Sequence, residues 1–185
     1  MVPDVVLERE EVIFRNIADI SAYYRSVFGK KINLDFEIFP NTNMNFFMAV
    51  HPHLEFPDVA AKIEKFFDVK FEQCFSTDLI MVDNRPKNLY VFSHSGSFEP
   101  ELEKRNGGFV INPVEYLLAT GFQKFVTGRF MDHEKWTVTD STAPFNGTTR
   151  PVAFYTDPDQ KVIRACYGAE ECPEGGYREI VFKEK

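Results

Sequence analysis

Residues 112–128 read NPVEYLLATGFQKFVTG, and this stretch predicts the most clearly bounded helix in the chain. Asn112 is a favourable N-cap, Pro113 suits the first helical position, and Glu115 stands where a capping box needs an acidic residue. Gly128 is a natural C-terminal stop, so we expect the helix to run over about residues 113–127.

This helix separates two parts of different character. Residues 1–106 mix helical and strand patterns, with further helices predicted over 11–28 and 57–67, whereas residues 129–185 are nearly all strand-like. Apolar alternation and turn residues predict strand pairs at 32–39 with 45–50, 78–82 with 89–93, and 151–155 with 161–167, and a last strand at 177–182. Residues 141–150 are expected to form a polar loop.

The fold predicted from these elements is α+β: an antiparallel sheet built from hairpins, with about three helices packed on one face. We expect one domain over residues 1–185, because no linker rich in Pro, Gly or Ser divides the chain. The alternative is two lobes, residues 1–106 and 129–185, joined by the helix at about 113–127.

Phenylalanine dominates the aromatic residues, with 20 Phe against 7 Tyr and 1 Trp. Phe carries no polar group, so most of these rings are expected in the core rather than at a binding surface. Their positions on alternating or helical apolar faces, for example Phe36, Phe66, Phe125 and Phe182, favour the same interpretation.

The chain carries 28 acidic and 21 basic residues and has a formal net charge of −7. This balance, without a basic stripe, argues against nucleic-acid binding. No stretch approaches the roughly 18 apolar residues of a membrane span, and the first eleven residues are too polar for a signal peptide, so a cytoplasmic protein is expected.

Three cysteines, Cys74, Cys166 and Cys172, form an odd set without CxxC spacing, which argues against a disulfide framework and a thiolate zinc site. Reduced thiols are therefore expected, with Cys166 packed as a small apolar residue and Cys74 or Cys166 as weaker candidates for a nucleophile. A bridge between Cys166 and Cys172 across a turn is the alternative.

The histidines are the main candidates for chemistry, because three of the four follow predicted strands. His51 and His53 are weak candidates for a metal pair, which a carboxylate such as Glu55 or Asp58 would complete. His94 precedes Ser95, but neighbours on an extended chain point to opposite faces, which argues against a nucleophile–base pair.

Asp132 and His133 are the remaining catalytic candidates, although a polar turn before Trp136 explains them equally well. Gly107-Gly108 lacks the spacing of a phosphate-binding loop, and no other cofactor signature is present, so no cofactor is expected.

Three functions follow as hypotheses. The favoured one is a non-enzymatic protein-interaction domain of the immunity, inhibitor or accessory type, which presents the acidic loop residues Glu170, Glu171 and Glu174 to a basic partner protein. The second is a small metal-dependent or histidine-based hydrolase that uses the strand-end histidines. The third is a structural component of a larger assembly, such as a viral one, in which neighbours bury exposed apolar surface.

Overall fold

The computed structural model describes residues 9–42, 46–75, 78–94, 109–131, 135–157, 159, 161–168 and 176–184. Within them the helices are α1 (Arg9–Tyr23), which continues as a π-helical turn (Tyr24–Phe28), α2 (Phe56–Phe67) and α3 (Pro113–Thr127). The strands are β1 (Phe47–Val50), β2 (Lys70–Gln73), β3 (Tyr90–His94), β4 (Phe109–Val110), β5 (Thr137–Phe145), β6 (Thr148–Asp157), β7 (Val162–Tyr167), β8 (Gly176–Tyr177) and β9 (Glu179–Glu184). The α+β class is therefore confirmed.

Helix α3 has the ends that the sequence predicts. The backbone N–H of Glu115 donates to Asn112 Oδ1 at 2.8 Å, and the N–H of Asn112 donates to Glu115 Oε2 at 2.7 Å, which completes the capping box. Gly128 ends the helix with a φ of 78°, a conformation that favours glycine. Residues 113–122 are all buried, so α3 is enclosed on every side over most of its length.

The strands form two sheets rather than the single sheet expected. One has the order β1-β3-β9-β4 and is antiparallel throughout. The other has the order β2-β7-β6-β5-β8, in which the two outer pairs, β2–β7 and β5–β8, are parallel. Ile111 links the sheets just before α3, because its N–H donates to Arg178 O and its carbonyl accepts from Asp140 N.

Two of the predicted hairpins are wrong. Residues 32–39 form no strand but coil and a 3₁₀ turn, and β1 pairs instead with β3, about 40 residues further along the chain. Residues 78–82 contribute one isolated bridge, between Ile80 and Thr142. Leu34, Ile38 and Phe39 of the first segment are buried without a neighbouring strand, whereas most of residues 78–82 are exposed.

The C-terminal hairpin is confirmed, because β6 and β7 pair over six consecutive residue pairs. The polar loop predicted at 141–150 is wrong: β5 and β6 extend through it and meet at a two-residue turn, Asn146-Gly147. Both turn residues have positive φ, 46° and 79°, as this type of tight hairpin requires. The register of β5 against β6 shifts between Val138 and Thr142, and this irregularity interrupts the apolar alternation along β5. The strand is therefore not recognised from its sequence pattern.

The core is rich in phenylalanine, as expected, and one apolar cluster includes residues of all three helices and both sheets. Among the described residues, the buried phenylalanines are Phe28, Phe39, Phe47, Phe75, Phe92, Phe122, Phe130 and Phe154. Phe36 and Phe66 are exceptions, because both are exposed. Helix α3 contacts β1 of one sheet and β5 of the other, so packing of the helices on one face is not confirmed. The single-domain organisation stays a prediction.

Candidate functional site

A cleft of about 590 Å³ lies between α2 and the described residues 71–75 and 78–81, which we call the stretch 71–81. This volume is within the range of sites that hold a small ligand or a few side chains of a partner. Its walls are mainly apolar, and the residues that line it are Leu54, Glu55, Phe56, Pro57, Ala60, Ala61, Glu64, Phe71, Gln73, Asp78, Leu79, Met81 and Val114.

The sequence of α2 explains the shape of this cleft. Pro57 lies in the first turn of the helix, and Val59, Ala60 and Ile63 are buried on its inner side. Ala60 and Ala61 line the opening, and their short side chains leave space where longer ones would fill it. Phe56 closes one end, since its ring lies 5.6 Å from that of Phe71, centroid to centroid.

All the charged residues that line the cleft are acidic: Glu55, Glu64 and Asp78. Glu64 is engaged within the protein, because its Oε1 accepts a 2.6 Å hydrogen bond from the backbone N–H of Phe71. Glu55 and Asp78 are exposed. The cleft therefore combines an apolar interior with a negatively charged rim.

Exposed apolar residues continue from the cleft along the chain. Ile80 and Val82 are 49% and 48% exposed, and Met81, which lines the cleft, is 37% exposed. Ile80 is fixed to the second sheet, because its backbone exchanges hydrogen bonds of 2.8 and 3.1 Å with Thr142. We refer to Ile80, Met81 and Val82 as the apolar strip. A run of exposed apolar residues beside an apolar cleft is typical of a recognition surface.

Signals for this site in the sequence are weak. The pattern of residues 78–82 predicts a paired strand, and Glu55 is predicted only as a metal ligand. The apolar residues 79–82 are flanked by Asp78 and Asp83. This pattern is the signal in the sequence for an apolar strip with acidic neighbours. Residues of α2 and Val114 of α3 also line the cleft, and no local sequence pattern connects these two helices.

His51 and His53 do lie close together, with their ring centroids 5.4 Å apart. The N–H of His53 donates to His51 Nδ1 at 3.4 Å, and the N–H of His51 donates to the Tyr24 hydroxyl oxygen at 3.3 Å. Partial burial, together with the nearby Lys30 and His53, lowers the pKa of His51. In the part of the chain that the structure describes, no group of three His, Cys, Asp or Glu side chains is arranged to hold a metal ion.

His94 does not join this pair. Tyr90 is opposite Val50 in the β1–β3 pairing, whereas His94 lies at the other end of β3, about 13 Å further along the strand. There it is buried, with its ring 4.6 Å from that of Phe46. The structure therefore places the strand-end histidines at two separate locations.

The other candidates from the sequence lie outside the described residues. These are Asp132, His133 and Ser95 among the catalytic candidates, Glu170, Glu171 and Glu174 among the partner-binding candidates, and Cys172. The two cysteines that are described, Cys74 and Cys166, form a disulfide with their Cα atoms 5.0 Å apart, so the expectation of reduced thiols is wrong for this pair. Parallel pairing of β2 with β7 brings them together across 92 residues, which no spacing rule predicts.

A buried charged cluster lies beneath the loop that follows the apolar strip. Arg85 forms ion pairs with Glu115 at 2.7 Å and with Asp140 at 3.2 Å, and its guanidinium lies 5.3 Å from the ring centre of Phe109. Although burial acts against the charged form, the paired carboxylates outweigh it and raise the pKa of Arg85. The cluster joins the loop to α3 and β5, and none of its members lines the cleft.

Comparison with protein-family models gives no match, and neither do searches of the curated proteins and of the solved structures. Within the described part of the chain, no helix is both long enough and apolar enough to span a membrane. The arrangement of the site is therefore the basis for any statement about function.

Proposed function

We propose that the protein is a non-enzymatic protein-interaction domain, of the immunity, inhibitor or accessory type, and that the cleft between α2 and stretch 71–81 is its docking surface. The observation that carries this proposal is the composition of the cleft, in which an apolar interior is combined with charged residues that, among those the structure describes, are all acidic. The partner that fits is a basic protein segment that inserts apolar side chains and places Lys or Arg at the rim.

Charge supports this choice of partner at two levels. Glu55 and Asp78 are exposed at the rim, while Glu64 already bonds to the backbone of β2. The net charge of −7 adds a long-range attraction for a basic partner, which speeds encounter at low ionic strength. Glu170, Glu171 and Glu174 stay predicted contacts that would extend the acidic surface.

The residues that line the cleft favour binding over catalysis. Among the described residues that line the cleft there is no His, Cys, Tyr, Lys or Arg, so carboxylates are the titratable groups described there. The hydrolase alternative depended on the histidines, and these lie at two places of which neither lines the cleft. We therefore propose no reaction for this site.

The test is selection from a random displayed peptide library, followed by measurement of each enriched peptide by isothermal titration calorimetry. We expect enriched peptides to combine aliphatic or aromatic residues with Lys or Arg. Ala61→Gln fills the opening with a neutral side chain on an exposed helical position and should abolish binding. Ala22→Gln is the matched control, since Ala22 is an exposed alanine in α1, outside the cleft.

The charge requirement is tested separately. Glu55→Gln with Asp78→Asn should weaken the selected peptide about tenfold at low salt, and Glu10→Gln with Glu11→Gln, which removes the same charge elsewhere, should not. Peptides that bind Ala61→Gln as tightly as the wild type would overturn the proposal. It would also fail if the library gave no binder, or if the cleft proved to hold a second copy, seen as self-association that Ala61→Gln abolishes.

A further inference from the structure

The disulfide between Cys74 and Cys166 lies directly beside the wall of the cleft, although neither cysteine lines it. Phe71 and Gln73 of β2 line the cleft, Cys74 follows directly, and Leu79 and Met81 line it again a few residues later. The bond therefore ties the chain to β7 directly after the lining segment of β2.

The other contacts that hold this wall are non-covalent, and they include the hydrogen bond from Phe71 N–H to Glu64 and the bridge between Ile80 and Thr142. Strand β2 is the terminal strand of its sheet, has four residues, and pairs there with β7. Beyond the strand, Cys74 N–H donates to Ala165 O at 2.9 Å, and the ring of Phe75 lies 5.3 Å from that of Tyr167. A short terminal strand of this kind belongs to the less stable parts of a fold, so one covalent bond has a large effect on its order.

The two cysteines of the disulfide differ in exposure. Cys74 is an exposed residue, whereas Cys166 is buried within β7. An exposed disulfide can be attacked by a thiolate, and exposed bonds are the ones that exchange most readily.

From these observations we propose that the Cys74–Cys166 disulfide is a reversible clip: its reduction by a dithiol loosens the stretch 71–81 and weakens docking in the cleft. The effect on docking rests on the function proposed above, whereas the effect on the order of the wall does not depend on it.

The exchange has two steps. A thiolate of the dithiol attacks Cys74 Sγ, which forms a mixed disulfide and breaks the bond to Cys166; the Cys166 thiolate that leaves takes up a proton. The second thiol of the reductant, as its thiolate, then attacks the other sulfur of the reductant, which is bonded to Cys74 Sγ. This step closes the cyclic disulfide and releases Cys74 as a thiolate, which is protonated in turn. The protein disulfide gains two electrons, and the dithiol becomes a cyclic disulfide.

The first measurement is hydrogen exchange of the full chain before and after treatment with dithiothreitol, with the state of each thiol verified by alkylation and mass spectrometry. On reduction we expect exchange in residues 71–81 to accelerate about tenfold or more, while exchange in α3 stays unchanged. Cys74→Ser should exchange fast in this stretch under both conditions. Cys172→Ser, which removes only the third thiol, should respond as the wild type does.

The second measurement is the affinity of the selected peptide, which should fall about tenfold on reduction because the wall is no longer preorganised. The clip is refuted if oxidised protein contains no Cys74–Cys166 bond, or if exchange in 71–81 ignores reduction. Equal peptide affinity in both states would refute the regulatory role and leave the docking function intact. If exchange in the wall accelerates on reduction but neither state binds any peptide, the proposed docking function is wrong, and so is the effect of reduction on docking. The dependence of the wall on the disulfide would still hold.

Discussion

The guanidinium of Arg85 and the carboxylate of Glu115 form a two-point ion pair in the interior of the protein. Arg85 Nε lies 2.7 Å from Glu115 Oε1, and Nη2 lies 3.1 Å from Oε2. Their side chains are 8% and 0% exposed. Glu115 also accepts from the Tyr90 hydroxyl and from Asn112 N–H, so one carboxylate joins α3, its cap, β3 and the loop that carries Arg85.

Arg85→Met should destabilise the protein strongly, because it leaves the Glu115 carboxylate buried without its cation. We expect the free energy of unfolding in urea at pH 7 to fall by about 3–5 kcal/mol. Lys87→Met, an exposed position in the same loop, is the control and should change stability by less than about 0.5 kcal/mol. If Arg85→Met combined with Glu115→Gln lost as much as the sum of the single changes, the pair would not be coupled.

Asp140 predicts a pH dependence of stability. Burial raises the pKa of this carboxyl from 3.8 to about 6, although the nearby Arg85 acts in the opposite direction and Glu115 adds to the increase. Arg85 Nη2 lies 3.2 Å from Asp140 Oδ2, but the loss of hydration outweighs this attraction. The folded state therefore prefers the protonated acid, so the stability that Asp140 contributes is present below about pH 4 and is lost as the pH rises through about 6.

Asp140→Asn should remove this dependence. Relative to the wild type, the variant should gain about 2 kcal/mol of stability between pH 4.5 and pH 7.5, because this interval covers most of the shift from 3.8 to about 6. Urea unfolding at the two pH values gives this difference, in which the titration of the other carboxyls cancels. Asp159→Asn, at an exposed position, is the control. Parallel pH profiles for Asp140→Asn and the wild type would contradict the prediction.

Tyr23 and Tyr24 are adjacent and fully buried, yet they should respond oppositely to loss of the hydroxyl. Tyr24 Oη donates to Ala49 O at 2.7 Å and accepts from His51 N–H, whereas Tyr23 Oη has no partner among the described residues. Tyr24→Phe should therefore cost about 1–2 kcal/mol, and Tyr23→Phe should be neutral or stabilising by about 1 kcal/mol. Thermal and urea unfolding of both variants measures this contrast, and a comparable loss in both would contradict it.

Local interactions explain which parts of the fold could be predicted. Asn112, Glu115 and Gly128 define the ends of α3 within 17 residues, and the β6–β7 hairpin closes over a short turn. In contrast, β1 pairs with β3, and Arg85 reaches Glu115 across 30 residues. Such contacts depend on how the elements pack together, and no periodicity in the sequence encodes them.

The cleft was missed for the same reason. Ala60 and Ala61 are ordinary residues for a helix, and their small size has meaning only because Phe71, Leu79 and Val114 arrive opposite them. The apolar strip was expected to be a paired strand, since its composition suits one. In the described structure the apolar strip pairs with another strand only through the bridge between Ile80 and Thr142, so its side chains remain exposed.

The Tyr23 hydroxyl also explains why residue 121 is a glycine. In the middle of a helix, Gly→Ala ordinarily stabilises by about 1 kcal/mol. A Cβ at position 121 would overlap the Tyr23 hydroxyl oxygen and lie 3.1 Å from Ile63 Cδ1, closer than ordinary packing allows. Gly121→Ala should therefore destabilise the protein, by about 1–3 kcal/mol in urea unfolding.

The nearest atom in this overlap is the Tyr23 hydroxyl, so its removal should relieve the strain. In the Tyr23→Phe background the cost of Gly121→Ala should be lower by about 1 kcal/mol or more, as a double-mutant cycle of four proteins will show. Gly128→Ala is a useful contrast: nothing lies within 4 Å of its Cβ position, so its effect comes from the positive φ and should be the same in both backgrounds. Equal costs of Gly121→Ala with and without the hydroxyl would mean that Ile63, rather than Tyr23, requires a glycine there.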